Sequence, residues 1–351
     1  MKTKTAFLNI FFLSVGIITF LPNSVWAAVN GPCVNCHIMH NSQGGQTIEG
    51  GEDGPYRHLT KGDCIGCHTG DNSGGSSSNG DIPYVMGLSQ PTYPTLTTDG
   101  NTLAGGNFWW VAYGDDNKGH NVLGLSDVDL NHSEAPGGTT SCANSCHLTL
   151  AEKQESILTD LGSGCEGCHL AVAHHAPDHP INYSNVVSED EGWFRYCSGH
   201  RCGSGHGVEG IEDDDWEYNP TSTDHNEYLG FVGDHTKPGN FKILGNTMTA
   251  YCCGCHKNFH IQQDDGGAWI RHPSDAALPE TYAYTVYEPL APVARPDLDE
   301  YSGPSATVTP GTDLVMCLSC HRAHGSPYAS MLRWSGSEED DGCKICHTTN
   351  D

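Results

Sequence analysis

The pattern C-x-x-C-H occurs six times in this chain of 351 residues. The copies are CVNCH (Cys33, Cys36, His37), CIGCH (Cys64, Cys67, His68) and CEGCH (Cys165, Cys168, His169), followed by CCGCH (Cys252, Cys255, His256), CLSCH (Cys317, Cys320, His321) and CKICH (Cys343, Cys346, His347). CANSCH (Cys142, Cys146, His147) repeats the pattern with one extra residue between the cysteines. With 17 Cys and 21 His, chance would supply about 0.05 copies of C-x-x-C-H. Two thiols at this spacing suit addition to the two vinyl groups of a haem, and the next residue then offers an imidazole to its iron. A thioredoxin-like pair needs no such His, and neither a zinc ribbon nor a disulfide framework explains a His after every second Cys. The motifs therefore predict about seven covalent haem c groups, with the seven motif histidines as proximal ligands.

Composition becomes intelligible on that premise. Only 36% of residues are hydrophobic and 43 are Gly, too thin an aliphatic supply to offset the entropy of ordering the backbone. Cofactors would supply the missing core. The expected fold class is a mostly irregular chain with short α-helices and a few short β-strands packed around a haem core. Short helices should begin at the motifs. Residues 147–161 read as a longer helix and 107–113 (NFWWVAY) as an aromatic strand. Trp109 and Trp110 should pack on haem faces or the core.

Fourteen histidines lie outside the motifs, twice the number needed to give every haem a second imidazole, while Met is scarce at 6. Ligation by two imidazoles is the expectation, with Met ligation, which raises the potential, the exception. His40, His120, His206, His225, His260, His272 and His324 are the distal candidates. His40 and His324 follow a motif His by three residues and should serve a neighbouring haem. His174, His175 and His179 form a cluster expected to supply one or two further ligands. Among Cys197, Cys202 and Cys253, which stand outside the pattern, a structural disulfide is expected, with a free thiol at Cys253 or a degenerate eighth haem site as alternatives.

Residues 1–27 read as a secretory signal peptide: Lys2 and Lys4, an apolar run, then Val25-Trp26-Ala27. After it come a two-haem module at 28–75 and a Gly-, Ser- and aromatic-rich connection at 76–140. A second two-haem module follows at 141–182, a central region with one haem motif at 183–300, and a C-terminal two-haem module at 301–351. No later stretch is apolar enough to span a bilayer, so a secreted protein, periplasmic or at the outer surface, is expected. The net charge of −27 makes nucleic acid and anionic membranes poor partners. The acidic runs at 212–215 and 338–341, and DLDE at 297–300, lack EF-hand spacing and read as solvated surface rather than calcium sites.

The C-terminal segment, CHRAHGSPY at 320–328, LRW and the closing CKICH, resembles the cytochromes with doubled CxxCH motifs. GPCVNCHIMHNSQ (31–43), GGNFWW (105–110), KGHNV (118–122), GIEDDDWEY (210–218) and WIRHPSD (269–275) are similar to large exported multihaem cytochromes of metal-reducing bacteria. The resemblance implies covalent haem c, bis-His ligation and electron transfer to redox partner proteins or extracellular acceptors. The extra residue at Cys142–Cys146 and the Cys197/Cys202 insertion depart from it. Two alternatives stand beside an electron carrier. One is a reductase of a small oxyanion or nitrogen compound with one open iron, against which no CxxCK occurs. The other is a homopolymer in which a His of one subunit serves the next.

Overall fold

The computed structural model describes residues 32–38, 42–43, 46–47, 59–60, 62–70, 82–132, 135–137, 149–152, 163–169, 172, 174, 185–186, 193–198, 207–213, 215–231, 246–256, 259, 274–301, 303–335 and 342–347. These residues are mostly irregular. The α-helices are one turn each: α1 (Cys64–His68), α2 (Trp109–Ala112), α3 (Met248–Cys252), α4 (Cys317–Cys320) and α5 (Gly342–Cys346). Two further motifs open on 3-10 turns, Cys33–Asn35 and Gly164–Gly167. Such short helices have no propensity-driven stability and hold only through their caps and packing. The Asp63 carboxylate accepts from the Gly66 N–H at 2.9 Å at the start of α1. Helix α3 departs from expectation by ending, not starting, at its motif. Thr247 caps it by accepting from Ala250, and Met248, Thr249 and Ala250 are buried.

The strands are two or three residues long: β1 (Ser42–Gln43), β2 (Gln46–Thr47), β3 (Thr69–Gly70), β4 (Met86–Gly87), β5 (Asn185–Val186), β6 (Gly210–Ile211), β7 (Glu227–Leu229), β8 (Ala276–Ala277), β9 (Ala294–Arg295) and β10 (Leu314–Val315). Six of them form one sheet, ordered β5-β6-β7-β9-β10-β8 and antiparallel except for β7 with β9. Its core, with Phe194, Val208, Tyr228, Met248, Ala294, Leu314, Met316 and Leu318, draws on residues either side of position 300. A second cluster, Leu278, Tyr284, Tyr287, Val293 and Val308, has Ile345 and Cys346 packed against it.

The aromatic strand expected at 107–113 is instead helix α2. Asn107 turns its side chain to accept from the Trp109 N–H at 2.9 Å, and Phe108 and Val111 bury against Val122. Of the longer helix expected at 147–161, only 149–152 are described, and Leu150 there pairs with Val122 in a bridge. Trp109 packs on Tyr113, ring centres 4.0 Å apart, and Lys118 lies over Trp110. Gly106, at φ +79°, passes so close to the Gly325 carbonyl that a Cβ would collide with it. This contact seats GGNFWW against the HGS segment that carries His324. The acidic run at 212–215 is not simply surface: Asp213 is 3% exposed, and its Oδ2 accepts from the Glu217 N–H at 2.6 Å.

Candidate functional site

Four motif histidines share one local arrangement. Nδ1 of His68 meets the Pro83 carbonyl at 2.8 Å, His169 that of Arg195 at 3.0 Å, His256 that of Pro136 at 2.8 Å and His321 that of Ser330 at 2.7 Å. His120, outside the motifs, does the same with Ala323 at 2.7 Å. A carbonyl can only accept, so each of these rings carries its proton on Nδ1 and presents the Nε2 lone pair. His347 pairs its Nδ1 with the Tyr282 hydroxyl at 3.3 Å. At two sites the accepting carbonyl comes from a strained turn. Arg195 and Tyr196 sit at φ 46° and 59°, and Ser330 and Met331 at 56° and 60°. Left-handed backbone in a non-glycine residue costs about 1–2 kcal/mol, so the orientation of His169 and His321 is held against a penalty.

Histidines also face one another. Ring centres lie 6.2 Å apart in His68–His174, 6.1 Å in His120–His256 and 6.2 Å in His169–His324. An iron bound at about 2 Å by each of two imidazoles separates their ring centres by about 6 Å. In every pair one member is a motif His and the other is not. His324, three residues after His321, faces His169 of another motif. Burial, and repulsion from the partner ring, draw His256 down to about 4 and His324 to about 3, and burial also lowers His120 and His169. These rings are neutral near pH 7, the form in which imidazole binds a metal.

The thiols are grouped between motifs as well as within them. Cys64 is hydrogen-bonded to Cys165, and Cys252 to Cys317. Cys168 lies near enough to Cys255, and Cys320 to Cys346 and Cys343, for the charge of one to act on the other. Five motifs are thereby linked in the order Cys64, Cys165, Cys252, Cys317, Cys343. The Tyr251 hydroxyl ties α3 to the second linkage by donating to the Cys168 carbonyl.

His225, expected as a distal ligand, has another job. It is fully buried, stacked on Tyr287 with ring centres 3.5 Å apart, and both nitrogens are engaged, Nδ1 with the Thr221 carbonyl at 2.9 Å and Nε2 with Glu227 at 3.3 Å. Neither is left for iron. His174, in contrast, faces a motif His and belongs with the ligand candidates; its place in the His174–His179 cluster was its only sequence signal. His40, His147, His206, His260 and His272 lie outside the described residues, as do Cys142, Cys146 and Cys202. Cys197 and Cys253 are buried free thiols, so the disulfide expected among the three is not formed between these two.

A family model described as "Doubled CXXCH motif" matches residues 310–351. The chain is 23% identical to the C-type cytochrome OmcS of Geobacter sulfurreducens over 361 residues, covering 86% of this chain and 78% of that one. Two solved structures share its fold. The OmcS nanowires, seen by cryo-EM, match at a TM-score of 0.52 and 22% identity, and the Outer Membrane Cytochrome S filament at 0.50 and 21%. Each match covers 89% of this chain and 86% of the other.

Proposed function

We propose that this chain, a multihaem c-type cytochrome, relays electrons outside the cytoplasm through about seven covalently attached haems, each held between two imidazoles, and transforms no substrate. The observation that carries the ligation is the set of three imidazole pairs at 6.1–6.2 Å, each joining a motif His to one from elsewhere in the chain. Haem supplies reversible one-electron chemistry at iron; the chain sets where that chemistry happens and at what potential. Cys64, Cys67, Cys165, Cys168, Cys252, Cys255, Cys317, Cys320, Cys343 and Cys346 would anchor five groups, with Cys33, Cys36 and Cys142, Cys146 for two more. His68, His169 and His256 would bind one face, and His174, His324 and His120 the other.

The residues contribute in three ways. Backbone carbonyls hold Nδ1–H and make Nε2 the stronger donor, as outer-shell partners do at metal sites generally. Two imidazoles per iron favour a low potential. Contacts such as Cys64 with Cys165 keep successive attachment points adjacent, the spacing that a relay needs. The reductase alternative requires an open iron, and three motif histidines each already face a second ring.

The chain would be exported, to the periplasm or the outer surface, with redox proteins or extracellular acceptors as partners. A homopolymer is a second reading, favoured by the likeness to two filament structures. Low-temperature EPR of the oxidised protein, with haem quantified on the same sample, tests the main reading. Seven low-spin irons per chain are expected; a stoichiometric high-spin signal would sink it. Electron microscopy of the purified protein separates fibres from monomers.

A further inference from the structure

The carbonyl that orients His169 sits on strained backbone, and the contacts that hold it there run to the six-stranded sheet. Arg195 offers its carbonyl oxygen to His169 Nδ1 at 3.0 Å from a left-handed conformation, φ 46° and ψ 35°, and Tyr196 follows at φ 59°. Two successive non-glycine residues in that region persist only where surrounding contacts over-determine them. Glu212 supplies the central contact. Its Oε1 accepts from the Arg195 backbone N–H at 2.7 Å, and its Oε2 lies 3.7 Å from Arg195 Nη1. One carboxylate thus grips both the peptide and the side chain of the same residue. The guanidinium also donates from Nη2 to the Asp213 carbonyl and to Asn226 Oδ1, the latter at 3.2 Å. Asn226 Oδ1 accepts in turn from the Asp213 N–H at 2.8 Å, which closes the arrangement.

These anchors are placed by the sheet. Glu212 directly follows β6 and Asn226 directly precedes β7, and the two strands are antiparallel neighbours. Phe194, just before Arg195, is buried in the core of that sheet and donates its N–H to the Val208 carbonyl at 3.0 Å. The sheet therefore sets Glu212, Glu212 sets Arg195, and Arg195 sets His169. The Cys197 thiol lies 3.7 Å from the same Arg195 oxygen, a weak donor that leaves the imidazole as its main partner.

We propose that Glu212 is a positioning residue for the imidazole of His169 and, through it, sets the potential of one haem. The inference rests on the reading above, in which His169 and His324 ligate one iron. With the Arg195 carbonyl fixed on Nδ1–H, His169 is the stronger donor through Nε2 and favours the oxidised iron. Loss of the carboxylate lets the turn relax to ordinary backbone, takes the carbonyl off Nδ1 and raises the potential. The change is one electron at iron, and no bond to His169 is made or broken.

The test uses the haem-loaded full chain in a redox titration followed by low-temperature EPR. His324→Ala first identifies the haem, because it should remove that haem's low-spin signal. In Glu212→Ala the oxidised-to-reduced ratio of the same haem, at a fixed solution potential, should fall about tenfold, which is about 59 mV for a one-electron couple. Its g values, which follow the relative orientation of the two imidazoles, should move as well. Glu212→Gln keeps an acceptor for the Arg195 N–H at the same reach and should produce less than half of either change. Equal potential shifts in both variants with unmoved g values would mean that charge alone acts, and would overturn the proposal. So would an unshifted Glu212→Ala, or a shift spread over several haems. Should Glu212→Ala fail to fold, Glu212→Asp replaces it: the charge stays, the reach shortens, and an unchanged potential and g values would overturn the proposal. A His324→Ala variant that keeps every low-spin signal would fell the ligation reading itself, a failure distinct from that of Glu212.

Discussion

Two regions of this molecule use imidazoles in opposite ways. Around the six-stranded sheet, His225, Glu227, Arg295 and Asp313 complete one another. Arg295 clasps Glu227 through Nε at 2.8 Å and Nη2 at 3.1 Å, reaches Asp313 through Nη1, and has almost no exposure on any partner. Burial would raise the Glu227 carboxyl, but hydrogen bonds from His225 and Arg295 hold it below its ordinary range. At three CxxCH sites, His68, His169 and His256 each meet a backbone carbonyl through Nδ1 and face a second imidazole. The first region is a buried cluster of ion pairs in the protein interior. The second is a candidate binding site, set between imidazoles from different parts of the chain.

The largest effect on stability should come from breaking the ion-paired cluster. Arg295→Met strips the buried Glu227 and Asp313 of their shared guanidinium, which should cost about 3–5 kcal/mol in denaturant unfolding. Haem content should persist in whatever folds. A loss below about 1 kcal/mol would mean that water reaches the two carboxylates.

The contrast sharpens at single imidazoles. His120→Ala should convert the equivalent of one iron per chain to high spin, and His120→Met should raise one potential by on the order of 100 mV. His225→Phe should leave the low-spin count untouched and cost about 1–2 kcal/mol through its two lost hydrogen bonds. If EPR instead showed a new high-spin iron in His225→Phe, the division between the regions would collapse.

The smallest effect concerns Asp213. Burial, a hydrogen bond with Asp215 and that residue's charge push its carboxyl up to about 8. The folded chain then holds a proton that the unfolded chain releases above about 4, so the stability tied to that proton is present in acid and lost as pH rises towards 8. Asp213→Asn keeps an acceptor for the Glu217 N–H and should raise Tm by ~2–4 °C at pH 8–9, with little change near pH 4. An equal gain at both pH values would remove the titration from the explanation.

Much of the site was legible because covalent attachment is a local demand. Two Cys and a His at fixed spacing need no tertiary help to announce themselves, and His324, three residues past its own motif His and expected to serve another site, faces His169. His225 was misread because a buried His in a short polar segment, TDHNEY, looks the same whether it faces iron or a carboxylate. The helix at Trp109–Ala112 was misread because aromatic runs suit strands, whereas here the Asn107 side chain accepts from the Trp109 N–H and Phe108 and Val111 bury against Val122.

The sequence by itself determined the CxxCH pattern and the candidate attachment points, since both are written in residues four apart. Which imidazole faces which motif, which carbonyl orients each ring, and which buried charges close on one another were decided only in three dimensions. Pairs such as His120 with His256 and His169 with His324 are separated by more than a hundred residues, and chain folding alone brings them within 6.2 Å. Nothing local to either partner encodes that distance.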